Sequence, residues 1–272
     1  ETQHAYFEEL RQIRWLPGTS GPEHWHSPGA LFPIFRDYLF ASEGNFLAFS
    51  RPTQNQSSDL RKFLGMDRKI PPIYVVRQLL HCSQHNERVN KEVYDFLNTE
   101  VDVEDPALGN LEGRACLLLP NDDEIRYVRP DQVFWGEHPF GRFRFSLDPE
   151  FRQFDALFRR LGVRENQPIV EDYLQVLLDI SKEYGTSNLY LEEDAYSVVM
   201  TCWQFLGRAC ENEELTAADL RAGIKGHKVI PDPRKILALP ERLFFEDRAG
   251  LAKKFYKLLL NDIIPRSEGA WY

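Results

Sequence analysis

Few stretches of this sequence carry side chains that could do chemistry. The most suggestive is Phe140-Gly-Arg-Phe-Arg-Phe, which interleaves aromatic rings with Arg142 and Arg144, and is followed by Arg152, Arg159, Arg160 and Arg164. Aromatic faces that stack on bases, beside guanidinium groups that meet phosphates, suit single-stranded nucleic acid. Helices followed by a β-hairpin would also look winged-helix-like. The plainer reading is a strand with one buried face, then a helix with a solvated basic face. A second cluster is His81-Cys82-x-x-His85. On a helix the two histidines share a face, as zinc ligands often do. Cys82 then points about 100° away, and no carboxylate is spaced to complete the set. The expectation is a helix C-terminus with two exposed histidines and a buried thiol. His24-Trp25-His26, in a loop, is weaker.

Carboxylates run together at 100–105, 122–124 and 211–214, and Pro231-Asp232 superficially matches half of a nuclease motif. Paired carboxylates can perform acid–base work. Here they lack histidine, lysine or glycine context and fall in predicted loops, so solvated turns are expected. There is no G-x-x-x-x-G-K-[ST], no G-x-G-x-x-G after a strand, and no nucleophile elbow. The sequence therefore predicts no catalytic residue, metal or cofactor. The net charge of −9 argues weakly against general nucleic-acid or anionic-membrane binding. No apolar run approaches a membrane span. Cys82, Cys116, Cys202 and Cys210 sit in apolar or helical contexts with no Cys-x-x-Cys pair, and read as buried thiols of a reducing compartment, cytoplasmic or nuclear.

The elements around these clusters are mostly helical. A content of 43% hydrophobic and 13% aromatic residues over 272 residues indicates a folded chain with a large core. A helix from His4 to Ile13 is ended by Trp15-Leu16-Pro17. A loop spans 18–29, an apolar segment of helix or extended chain spans 28–40, and a strand is expected at 46–49. Further on, Asp148 is an N-cap and Pro149 suits the first helical position. Phe151, Phe154, Leu157, Phe158 and Leu161 form one helical stripe closed by Gly162. Tyr173, Val176, Leu177, Ile180 and Tyr184 form the next, ended by Gly185. The stripe from Leu191 to Leu206 makes a long third helix, and Thr216 with Asp219 a capped turn.

This script occurs twice. Leu64-Gly65-Met66 matches Leu161-Gly162-Val163, Pro120 matches Pro231, Pro130 matches Pro240, and Phe134-Trp135 matches Phe244-Phe245. Hairpins are expected at 114–128 and 227–239, and a final helix carries Leu251, Phe255, Leu258 and Leu259. The predicted fold is α+β, mainly α: two tandem helix–helix–helix–β-hairpin units, at 57–141 and 142–272, after an entry segment at 1–56. Such units need each other to bury their apolar faces.

The order of these motifs resembles the repeat regions of sacsin and the related NO VEIN-type proteins. It does so at Arg14-Trp15-Leu16-Pro17, Leu64-Gly65-Met66 with Pro71-Pro72, Val75-Val76-x-Gln78-Leu79, and the tract leading to Phe134-Trp135. It is clearest at Phe154-x-x-Leu157-Phe158-x-x-Leu161-Gly162-Val163, Asp172-Tyr173-x-x-Val176-Leu177-x-x-Ile180 and Val229-Ile230-Pro231-Asp232. The resemblance implies a piece of a large intracellular protein, an expectation that fits a chain opening at Glu1 inside an apparent helix. In that family such segments follow an Hsp90-like ATPase module and have chaperone-like or scaffolding roles. Nothing here resembles the Asp-x-Gly-x-Gly motifs of such a module, so nucleotide binding is not carried over. The expected function is non-enzymatic, through a protein partner or other domains of the parent chain. The alternative is nucleic-acid binding through Arg142, Arg144, Arg159, Arg160 and Arg164.

Overall fold

The computed structural model describes residues 8–19, 25–42, 44–48, 59, 62, 65–66, 68–119, 124–165, 167–185 and 189–242. These are mainly helical, with small two-stranded pairings. The chain forms two compact units, one of residues 1–131 with 147–163, the other of 132–146 with 164–272. Compactness thus divides the chain differently from the sequence repeat. The helix that opens the second copy packs into unit 1, because its phenylalanines surround Tyr94.

In unit 1, Leu16–Pro17 (β1) pairs antiparallel with Trp25–His26 (β2), where a loop was expected. Two 3-10 segments follow, Pro28–Ala30 and Ile34–Leu39. The strand expected at 46–49 is reduced to single bridges, Phe32 to Phe46 and Gly18 to Leu47, with Phe49 outside the described residues. Most of the first repeat's opening helix also lies outside them. Its closing glycine, Gly65, has φ 72°, and Met66 behind it is buried with Leu16, Leu31 and Leu47.

Helix α1 (Pro72–His85) starts with a proline at its first position and stops at Asn86 in the left-handed region. It buries Val75, Val76, Leu79 and Leu80. Helix α2 (Lys91–Thr99) is capped by Asn90, whose side chain accepts from the Glu92 N–H. Strands β3 (Leu117–Leu119) and β4 (Arg126–Val128) form an antiparallel hairpin. Its turn, Pro120 to Asp123, is outside the described residues. Asp148 does cap the next element, accepting from the Glu150 N–H at 2.7 Å. That element is not one helix but a 3-10 segment, Pro149–Phe154, running into α3 (Asp155–Leu161). The tighter winding places Phe151 and Phe154 on one side. Their rings lie 5.4 and 6.0 Å from that of Tyr94, with Phe158 at 5.7 Å. Gly162 ends α3 at φ 88°, with the Gly162 N–H donating to Arg159 and the Val163 N–H to Phe158. This is the paired bonding of a Schellman motif.

In unit 2, Val133–Phe134 (β5) pairs in parallel with Phe145–Ser146 (β6), a pairing the sequence did not suggest. Helices α4 (Val170–Gly185), α5 (Glu193–Glu211) and α6 (Ala217–Ile224) follow. Ile230–Pro231 (β7) and Leu237–Ala238 (β8) close a second hairpin. Thr216 caps α6 reciprocally with Asp219. The core gathers Tyr173, Val176, Leu177, Ile180, Trp203, Leu206 and Val229. Leu243 to Phe245 and the expected final helix lie outside the described residues.

Among the described residues no helix is long and apolar enough to cross a membrane. Nothing lies within 4 Å of a Cβ added at Gly162, so a side chain there costs only backbone strain. Gly162→Ala is expected to destabilise the protein by about 1–2 kcal/mol, read as a lower midpoint in urea unfolding.

Candidate functional site

The arginine–aromatic stretch Phe140 to Phe145 packs against α4 and α5 in unit 2, with Phe140 in the core. The 3-10 turn Gly141–Phe143 aims Arg142 at the end of α4, where it donates to Glu183 (2.7 Å) and to the Tyr184 hydroxyl (2.5 Å). Glu183 holds the Arg142 guanidinium above its ordinary range. Two residues on, Arg144 turns inward and is only 4% exposed. It donates to the Phe143 carbonyl at 2.6 Å and pairs with Asp179 at 3.0 Å. As an expected partner contact Arg144 is therefore corrected: it is a structural arginine. Arg144 is the extended residue that closes the 3-10 turn, and its side chain reaches Asp179 on α4.

Arg164 belongs to the same unit. Its backbone joins the β5 edge, donating to Val133 and accepting from Trp135, and its side chain pairs with Asp172 at 3.1 Å. Arg159 and Arg160 belong to unit 1. Arg159 faces Asp155 one turn earlier at 3.7 Å, and Arg160 meets Glu112 at 2.6 Å and the Val103 carbonyl at 3.2 Å. Each of the five thus has a carboxylate of its own chain beside it. A phosphate would have to displace that carboxylate, which cancels most of the local field.

The other sequence clusters resolve into structural roles. The rings of His81 and His85 are tilted against each other with centroids 4.1 Å apart, and His85 Nδ1 lies 2.9 Å from the His81 carbonyl. Cys82 is buried on the other side, its thiol pushed up by burial. Among the described residues no three His, Cys, Asp or Glu side chains converge in a way that could hold a metal. His24 is outside them. In the acidic loop, Asp102 and Asp105 accept from the backbone N–H groups of Glu104 and Ala107, and Glu100 pairs with Arg36. Asp122 and Asp123 are outside the described residues.

Asp232 is buried and organises a turn. Its Oδ1 accepts from the N–H groups of Arg234 and Ile236, and its Oδ2 pairs with the Arg234 guanidinium at 2.7 Å. Cys116 and Cys202 are pushed up to about 12 by burial, which leaves them as neutral thiols with little nucleophilic character.

One titratable group was not visible in the sequence. His138 lies against Phe134 and Phe140, ring centroids 5.3 and 6.0 Å away, and its Nδ1 accepts from the Phe140 N–H at 3.3 Å. Burial, and then the Arg144 charge, hold it below the ordinary histidine value of 6.5. Its only sequence mark is the pair of flanking aromatics. No family model, curated protein or solved structure matches the chain.

Arg144→Met is expected to destabilise the protein by roughly 3 kcal/mol, because Asp179 loses its buried partner. Arg159→Ala should cost no more than about 0.5 kcal/mol, as an exposed pair one turn apart on a helix. Denaturant unfolding of the two variants checks the contrast. For His138 the folded pKa is lowered, so the unfolded chain binds the extra proton. The stability it contributes is complete above the ordinary histidine value and is lost as pH falls below it. His138→Asn keeps an acceptor for Phe140 without the titration, and should flatten the loss of stability between about pH 7 and about pH 5.

Proposed function

We propose that this chain is a non-enzymatic protein-interaction or scaffolding segment of a large sacsin-like, chaperone-type protein. It would act through a protein partner or through other domains of its parent chain. The observation that carries the reading is an apolar pair held out to solvent in unit 2: Tyr190 is 67% and Leu189 51% exposed. Tyr190 forms an antiparallel bridge with Ile236, and the Leu191 N–H donates to the Lys235 carbonyl at 2.8 Å. The pair is thus presented on ordered backbone, which lowers the entropy lost on binding. Tyrosine is among the residues that most often anchor interfaces.

The spent polar chemistry supports the same reading. The buried thiols are inert, Asp232 is committed to its turn, and the arginines are paired within the chain. Nucleic-acid binding through Arg142, Arg144, Arg159, Arg160 and Arg164 fits less well. Arg144 is inaccessible, the other four stand beside carboxylates, and the chain carries a net charge of −9. Four unpaired cysteines support a reducing compartment, the cytoplasm or nucleus.

A photo-crosslinking residue placed at position 190 tests the reading in cells making the parent protein. Mass spectrometry should identify one protein or one parent domain as the dominant adduct. Leu189→Ser should weaken the purified interaction by about tenfold. Absence of any protein adduct, or capture unaffected by Leu189→Ser, would overturn the reading.

A further inference from the structure

The two hairpins are held alike but finished differently. In unit 1 the Tyr94 hydroxyl of α2 donates to the Cys116 carbonyl at 2.8 Å, just before β3. In unit 2 the indole N–H of Trp203 in α5 donates to the Val229 carbonyl at 3.0 Å, just before β7. Leu117 then pairs with Val128, and Ile230 with Ala238. Both second strands are followed by a proline two residues on, Pro130 and Pro240. This register sets Ile125, Arg126 and Tyr127 against Lys235, Ile236 and Leu237.

In unit 2 the outer side of that strand is occupied. The linker between α4 and α5 lays Tyr190 beside Ile236, and the Leu191 N–H bonds to the Lys235 carbonyl. In unit 1 the corresponding linker, 86–90, is two residues shorter than 186–192. It does not lie along β4. Instead the Tyr127 hydroxyl bridges to it, donating to the Glu87 carbonyl at 2.7 Å and accepting from the Val89 N–H at 3.1 Å. Beside this prop is an open cleft of about 610 Å³, lined by Ser83 and Asn86 at the end of α1, by Ala115, and by residues 124–127.

The backbone of β4 is directed accordingly. The Leu118 N–H is turned away from β4 to the Tyr94 hydroxyl, at 3.0 Å. Leu118 and Tyr127 are therefore a non-hydrogen-bonded pair. By the same alternation the Tyr127 N–H and the Ile125 carbonyl point away from β3. No described residue takes up either group. Their counterparts in unit 2 are the Leu237 N–H and the Lys235 carbonyl, and there the carbonyl accepts from the Leu191 N–H of the chain's own linker.

We propose that the unit 1 cleft is a strand-addition site. Its occupant is a segment of a partner protein, bound extended and antiparallel to 125–127, with the aliphatic–aromatic–aliphatic pattern that unit 2 supplies as Leu189-Tyr190-Leu191. Backbone bonds to the Ile125 carbonyl and Tyr127 N–H give the pairing, and alternate side chains enter the cleft. This inference deepens the protein-interaction reading and rests on it.

The test uses the full chain and a labelled synthetic peptide with the sequence of residues 187–192. Fluorescence anisotropy should show saturable binding, and hydrogen exchange at the Tyr127 amide should slow by about tenfold or more. A peptide carrying proline in place of Leu191 lacks the N–H for the Ile125 carbonyl and should bind at least about tenfold more weakly. The proposal is overturned by no saturable binding, by equal binding of the proline peptide, or by a Tyr127 amide already protected in the free protein. If the peptide fails while crosslinking at position 190 still captures a partner, only the cleft assignment falls. If the peptide binds and that crosslinking captures nothing, the protein-interaction reading falls and takes the partner-protein occupant of the cleft with it.

Discussion

A two- or three-residue hairpin cannot stand alone in water, and its outer backbone groups must be bonded if a helix covers them. In both units one large aromatic side chain meets both demands. Tyr94 and Trp203 are almost completely buried, so they supply the apolar surface the hairpin packs on. Each also carries one polar atom that reaches the carbonyl before the first strand. The rest is arranged around them. Phe151, Phe154 and Phe158 enclose Tyr94, which is why the chain from Pro149 to Leu161 joins unit 1. Removing such a side chain would cost both the core volume and the bond of a buried carbonyl.

Charge is handled with similar thrift. The arginines near the aromatic stretch are spread along the chain but are each met locally: Arg142 by Glu183, Arg144 by Asp179, Arg159 by Asp155, Arg160 by Glu112, Arg164 by Asp172. Exposed pairs of this kind add little stability. Their effect is to neutralise a basic surface that residue type and spacing alone suggest. Arg144 differs because it is buried, and its charge reaches His138 and Cys202. One inward-facing guanidinium thus influences two neutral groups without making a reactive site of either.

With these arginines engaged internally, the two units differ most in backbone edges and exposed apolar side chains. The two units treat the same edge differently for a reason of length. The longer linker of unit 2 reaches its hairpin and displays Leu189 and Tyr190 on the far side. The shorter linker of unit 1 is met by a tyrosine hydroxyl, beside a cleft lined by residues 124–127.

What the sequence determined by itself is mainly local and helical. The caps at Asp148 and Thr216, the stop at Gly162, and the stripes of α4 and α5 follow from spacing and backbone preference within a few residues. The mainly α character of the α+β fold follows from them. Tertiary structure decided what depends on distant partners. The parallel pairing of β5 with β6 and the bridge at Tyr190 are long-range backbone contacts with no local signature. The 3-10 start at Pro149–Phe154 arises because Tyr94, far away in sequence, gathers the phenylalanines. The same holds for the candidate site. Residue type and spacing marked Arg144 as a contact, yet only the packing of α4 beside it turned it inward. Alternation along a strand says that two side chains face opposite ways. It does not say which way is in.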